Sequence, residues 1–584
     1  ALRAHERDDA RVVDEVAHAG ALRLEVRAAV VVERDAHGHA RRDGDAFGAE
    51  RLHLRRVVRH QRERADAEVA HHRGSDVVAA QVVGIAIGLL DRFVVVGILL
   101  WAWGVDTYAN WVALGAIAGT TFLFDLGFQY YHGNALHALA TTPGRFQRQV
   151  AVGVYCYWSL LGMMSVSLVL IMAGADSLQG ALGLVVSSGE HWAAVLGLLW
   201  SANMLTCVRA AICQIYRGKG EFARSLFVDH VSKLSAVVLA AAAGLYSIGP
   251  VGLSAIYLLT EVLLGWGLML GDLRRRYPEL HLVATRPTAA EVKAMARGLK
   301  WLTISFMTPI IWAQGPIFFI GILGLGGLAL VQFAIIRTVA GVLRQCVGIA
   351  SLSVGMELAH EFHAGRGSAA AARLQALGKS ITIGIASGAV GCLQFGGPLV
   401  ERWTGRSDLY EIALMAALLT PIVLIAPALP FSNYLTLRNQ PRIAGLASAV
   451  QIILGFGLAF GLARPFGVVG LAAGLAIGEI SSQWLWTLRL GGRSLGVSPG
   501  DYLARCLLLA AGASVWSWIV GHIAKLALGE LATYPTLIAG LIWISVGWGL
   551  PTWLGLPKAL RTRLQSVVLQ PTVRSERARA LREH

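Results

Sequence analysis

Residues 250–270 read PVGLSAIYLLTEVLLGWGLML, twenty-one residues with one charged side chain, Glu261. A helix of about that length spans the ~30 Å hydrocarbon core of a bilayer. Residues 468–488 read VVGLAAGLAIGEISSQWLWTL, with one acid, Glu479, at the matching place. Sliding the chain by 218 residues lays Glu261 on Glu479 and Trp266 on Trp484, and upstream Tyr216 on Tyr434 and Arg224 on Arg442, without a gap. The shared register of charged and aromatic residues argues against chance likeness between Gly-rich helices. It implies an internal duplication.

Working outward from these two stretches, similar apolar runs fill the chain from about residue 81. They fall near 81–103, 109–128, 149–173, 192–215, 228–247, 250–270, 299–323, 327–355, 377–397, 409–432, 443–462, 466–487, 504–524 and 534–554. The expected fold is therefore an all-α polytopic membrane protein of about 14 transmembrane helices. The duplication divides it into two pseudo-symmetric six-helix bundles with two extra C-terminal helices. Six is even, so the bundles share one orientation and relate by an axis along the membrane normal, as in transporters that rock two lobes about a central cavity. The expected divisions are 81–272 and 299–490 for the lobes, with a linker at 273–298. The extra pair lies at 491–556 and a basic tail at 557–584.

The chain is 55% hydrophobic with a mean hydropathy of +0.57, as a polytopic protein requires. Its net charge of +15 is placed mainly in short loops, which argues against nucleic acid as a partner. Alternate loops and the C-terminal tail hold about 26 basic residues, among them Arg217, Lys219, Arg274, Lys293, Arg438 and Arg577. The opposite loops hold about four: Arg402, Arg406, Arg464 and Lys525. By the positive-inside rule both ends are cytoplasmic, and the expected location is a bacterial inner membrane. The six cysteines are scattered in apolar segments and read as packing residues. No metal site or nucleotide loop is legible, and no cofactor is expected.

Residues 1–80 differ in kind. Apart from Phe47 and Ser75, they use only residue types whose codons can begin with G or C, and 15 arginines balance 15 acids. Such a segment reads either as a wrong-frame translation of a GC-rich stretch or as a charge-balanced disordered tail.

Charge inside the spans is costly, so each instance asks for a reason. Arg337 and Arg344 lie seven apart, two turns along one helix face, and guanidinium groups match phosphate oxygens bidentately. That face is a candidate cavity lining; for Arg344 the alternative is snorkelling to the inner interface. Arg92 is a candidate for the same cationic cavity and Asp91 for ion coupling, the alternative being a structural ion pair between helices. Arg209 reads as a cavity or snorkelling residue, and Lys300, with Lys233 behind it, as a headgroup-recruiting cation. The repeat-related acids Glu261 and Glu479 are ion-coupling candidates or helix-packing residues. Pro309 and Pro316 predict a kink or break, and so a hinge, in the span 299–323.

The chain also resembles the polysaccharide flippases of the multidrug/oligosaccharidyl-lipid/polysaccharide exporter (MOP) superfamily over about residues 81–490. Gly104-Val-Asp-Thr-Tyr108 is similar to the family's turn after its first helix, and Phe124-Asp-Leu-Gly-Phe128 to the acidic motif closing its second, which makes Asp125 a structural motif residue. Gln314-Gly-Pro-Ile-Phe-Phe-Ile-Gly321 and Met356-Glu-Leu-Ala-His360 resemble the segments in and after its seventh and eighth helices. Pro316 stands where the family commonly has Asp, and Met356 where it commonly has Pro. The resemblance implies a V-shaped pair of bundles and export of an undecaprenyl-diphosphate-linked oligosaccharide for cell-surface polysaccharide. Its implied partners are that lipid-linked oligosaccharide, membrane lipids, a polysaccharide polymerase and export machinery. Alternatives within the superfamily are a lipid II flippase and a cation/drug antiporter, the latter disfavoured by the arginines. From another class, a membrane polymerase or ligase would need a substantial catalytic outer loop. The longest here, 174–191, offers only Asp176, Glu190 and His191, so a non-enzyme is expected.

Overall fold

Lipid supplies no hydrogen-bond partners, so each crossing must satisfy its backbone internally. Accordingly, every regular element among the described residues is a helix. The computed structural model describes residues 80–140, 142–174, 191–363, 367–437, 441–528, 533–556 and 561. The charge-balanced segment 1–79, most of the longest outer loop, the side chains of Met356–His360 and all but one residue of the basic tail lie outside that description.

The first lobe comprises α1 (Ala80–Ala138), α2 (Pro143–Ala173), α3 (Trp192–Gly218), α4 (Phe222–Leu245) and α5 (Pro250–Arg276). The second comprises α6 (Ala289–Ile322), α7 (Gly327–His363), α8 (Gly367–Thr404), α9 (Ile412–Ile425), α10 (Leu429–Leu437) and α11 (Arg442–Ser494). Two more helices follow, α12 (Pro499–Leu528) and α13 (Ile538–Gly555). Among the described residues, eleven helices are long and apolar enough to cross a membrane, against the fourteen expected in the chain. The difference has local causes. At 59 and 53 residues, α1 and α11 each have length for two crossings, and the apolar α9 has only 14 residues.

Both long helices contain left-handed backbone. Gly104 in α1 has φ +75° and Gly467 in α11 has φ +57°, a region that costs glycine little. A further reversal at Leu126 and Gly127, φ +51° and +79°, ends the 3₁₀ turn Thr120–Asp125. Asp125 Oδ1 accepts from the Gln129 backbone N–H at 3.2 Å, holding the start of the next turn. In contrast, α6 stays helical through Pro309 and Pro316. Of the kink or break predicted there, the break is absent, and the left-handed positions fall at Gly104, Gly467 and the Leu126–Gly127 pair. The linker is also shorter than expected, because α6 begins at Ala289 behind a Thr288/Glu291 capping box. Residues 277–288 lie against the first lobe, with Thr285 N–H donating to Ala151 O at 3.0 Å and Gln147 to His281 O at 2.6 Å.

The duplication is visible in side-chain contacts. Trp266 Nε1 donates to Leu205 O of α3 at 3.2 Å, and Trp484 Nε1 to Leu424 O of α9 at 2.8 Å. The two arms of α11 pack through small residues, Gly478 on Gly455 and Gly474 on Ala459, so their backbones nearly touch. One apolar core draws on both lobes, including Val95 and Leu99 from α1 and Ile336 and Ala340 from α7. Polar contacts also join them: Trp403 Nε1 donates to Phe93 O at 2.5 Å and Thr303 Oγ1 to Leu126 O at 2.9 Å. The last two helices pack on α8, where Ser517 Oγ donates to Ser387 O at 3.0 Å and Trp548 Nε1 to Gly384 O at 2.8 Å. Large apolar side chains such as Ile453 and Leu508, about three-quarters exposed, face outward as lipid requires.

Candidate functional site

Two internal cavities hold most of the intramembrane charge. The second-lobe cavity, about 640 Å³, is walled by α6, α7, α9 and α11, with Arg92 reaching it from α1. Its charged residues are Arg92, Arg337, Arg344 and Glu479, three cations against one anion. The first-lobe cavity, about 520 Å³, is bordered by Asp91, Arg92, Arg209, Lys233 and Glu261. Arg92 is thus common to both walls.

Local geometry explains how these side chains arrive. A π-helical turn, Asp91–Val95, interrupts α1 at the charged pair, and such bulges often occur at functional sites. Asp91 lines only the first-lobe cavity of the two. Arg92 faces the side-chain amide of Gln345 of α7, which accepts from the guanidinium when its oxygen is assigned to that side, as hydrogen bonding requires. Arg337 lies over the Phe333 ring, 5.3 Å from its centroid, and Nη1 donates to Ala313 O at 2.5 Å. That carbonyl is next to the one at Trp312 that Pro316 deprives of its helical donor. Arg344 makes a two-pronged pair with Glu479, Nη1 to Oε1 at 2.7 Å and Nη2 to Oε2 at 2.8 Å, rather than snorkelling. Its side chain keeps 42% of its surface exposed, while Glu479 is 6% exposed.

Arg209 behaves differently from the sequence expectation. It is buried and held by two carboxylates: Nε donates to Glu261 Oε1 at 2.5 Å, and Nη2 to Glu261 Oε2 at 3.2 Å and Asp229 Oδ1 at 2.9 Å. Lys233 completes the chain through Asp229 Oδ2 at 2.6 Å. Two cations therefore balance two anions, and the charge of Arg209 is already neutralised by the protein's own carboxylates. Sequence reasoning missed Asp229, whose one legible signal is the four-residue spacing to Lys233. The paired acids are also treated unequally: Glu261 takes its arginine from α3 and Glu479 from α7, so the duplication preserves the acid and not its partner. Lys300 lies about three turns inside α6, exposed and beside Trp301, and borders neither of these cavities. Pro309 and Pro316 line the cationic cavity, together with Trp312, Gln451 and Gln483, which the sequence reading did not single out.

The architecture has known counterparts. The fold is similar to that of solved transporters of the MOP superfamily. A solved lipid II flippase, MurJ, in an inward closed conformation is similar at TM-score 0.59 and 12% identity, over 85% of this chain and 100% of that one. An inward-facing multidrug resistance MATE family transporter of the same superfamily gives TM-score 0.51 and 16% identity, over 70% and 94%. No family model and no curated protein sequence matches this chain. The likeness is one of fold, carried by a multi-pass membrane protein whose arginines converge on one cavity.

Proposed function

We propose that this protein is a transporter of the flippase type that moves a polyprenyl-diphosphate-linked oligosaccharide across a bacterial inner membrane by alternating access. The observation that carries the reading is the cavity where Arg92, Arg337 and Arg344 face one acid, Glu479. A diphosphate leaving water needs replacement solvation, and arginines in an apolar wall supply it. Polar groups at Thr308, Gln345, Gln451 and Gln483, with the Trp312 ring, suit sugar hydroxyls and ring faces. A cationic drug would meet repulsion in the same space, which disfavours antiport of cations.

A lipid II cargo is the second reading, favoured by the likeness that extends over all of the MurJ chain. The two cargoes share the polyprenyl diphosphate and differ in glycan. Gene deletion followed by analysis of polyprenyl-linked intermediates separates them. A completed repeat unit held on the cytoplasmic face, with loss of surface polysaccharide, supports the first cargo. Accumulated lipid II with intact polysaccharide supports the second. In both cases wild type restores export and Arg337→Ala does not. Unchanged pools, or full rescue by Arg337→Ala, overturn the cationic-cavity mechanism. A build-up on the outer face indicates a polymerase or ligase instead.

A further inference from the structure

The Arg344–Glu479 pair has the form of an occupied anion site. A guanidinium fork normally grips a phosphate through two parallel N–H···O bonds, and here both prongs are taken by the protein's own carboxylate at 2.7 and 2.8 Å. The pair is unevenly placed. Glu479 is packed into the wall and Arg344 remains open to the cavity, so an incoming ligand reaches the arginine and not the acid. Resting on the flippase reading, we propose that Glu479 is an internal competitor for the diphosphate. The ligand displaces it from Arg344, and the freed carboxylate takes up one proton from water.

Three features support the exchange. First, a ligand that displaced Glu479 would leave a carboxylate unpaired in an apolar wall beside an arriving anion, and neutralisation is the low-cost outcome. Second, no other group in the cavity is placed to take the proton. The remaining charged wall residues are Arg92 and Arg337, while α6 presents Ser305, Thr308 and Trp312, α9 presents Pro421 and Ile422, and α11 otherwise presents Ser448 and Gln451 without an ionisable side chain. Third, a neutral carboxyl needs an acceptor for its O–H. Gln483, one turn along the same face, also borders the cavity, and its buried Oε1 has no partner. The step balances: one carboxylate–arginine pair is lost, one diphosphate–arginine pair is gained, and one proton moves from solvent to Glu479. The site therefore rejects weak anions, which cannot outcompete a carboxylate already in place, and accepts ligands of higher charge.

The test is calorimetric titration of purified protein with geranyl diphosphate at pH 7.5, in two buffers of different ionisation enthalpy, on wild type, E479Q and R337A. The probe's own last ionisation lies near ~6, so it carries few protons at that pH. Wild type is expected to take up about one proton more per ligand than E479Q. E479Q should bind tighter, on the order of tenfold. Wild-type affinity should rise as pH falls from about 9 to about 7 and stay flat in E479Q. Equal proton uptake with weaker binding in E479Q overturns the exchange and makes Glu479 a support for Arg344, leaving the flippase reading intact. Absence of binding to wild type and to E479Q overturns both. If E479Q does not fold, the wild-type count decides: near one supports the exchange, near zero overturns it.

Discussion

Arg209 has the whole of its guanidinium buried and shared between two carboxylates, with Lys233 closing the chain beyond Asp229. Removing one member of such a set strands the others, whereas replacing a pair with apolar groups of like volume removes the desolvation cost along with the attraction. Arg209→Ala is therefore expected to lose ~3–5 kcal/mol of stability, and R209M/E261L to stay near wild type because Asp229 keeps Lys233. Heating followed by size-exclusion of the surviving monodisperse protein measures both. A double variant as damaged as the single one would show that the charges themselves hold the lobe together. The same residues show how far sequence reading reaches. A lone arginine in an apolar span announces that it needs a partner, and the repeat singles out Glu261. Asp229 stays hidden because its role depends on which face of α4 packs against α3, a fact of helix rotation that a single span does not encode.

At the scale of the element, glycine geometry decides where helices turn and how closely they approach. Pro309 and Pro316 looked like the breaks, yet α6 continues through them, because a kinked helix inside a bundle can re-satisfy its freed carbonyls from neighbours. Arg337 donates beside one of them, to Ala313 O, the neighbour of the Trp312 carbonyl that Pro316 frees. The left-handed positions at Gly104 and Gly467 were legible only as glycines among the 66 in the chain. In α11, a Cβ at Gly478 would run into the backbone of Gly455, while one at Gly461 would meet nothing within 4 Å. Gly478→Ala must push the two arms of α11 apart at a cost of ~1–3 kcal/mol, and it moves the neighbouring Glu479 away from Arg344. Gly461→Ala should gain up to ~1 kcal/mol from helix propensity alone. Apparent melting temperatures of the two variants should therefore shift in opposite directions, and only Gly478→Ala should lower export in a complemented deletion strain. Equal effects would mean that close packing of the arms is not what positions the acid.

At the scale of the whole molecule, lipid makes the spans legible and charge makes their direction legible. A backbone that must bond to itself leaves long apolar runs in the sequence, and these foretold an all-helical, duplicated membrane fold. What the runs do not encode is how crossings join: α1 and α11, 59 and 53 residues long, each carry two of the expected spans, joined without a loop through the left-handed positions Gly104 and Gly467. Orientation rests on a separate physical signal, the excess of arginine and lysine at one end of the helices. That signal makes a prediction free of any assumption about cargo. In a background with the six cysteines replaced, Lys219→Cys, between α3 and α4, should react with a membrane-impermeant maleimide only after permeabilisation. Arg406→Cys, between α8 and α9, should react in intact cells. Arg406 is held by Asp408 at 2.6 Å on an exposed turn, so its replacement leaves the helices undisturbed and a negative result cannot be assigned to burial. The reverse pattern would invert the molecule and place the basic loops outside.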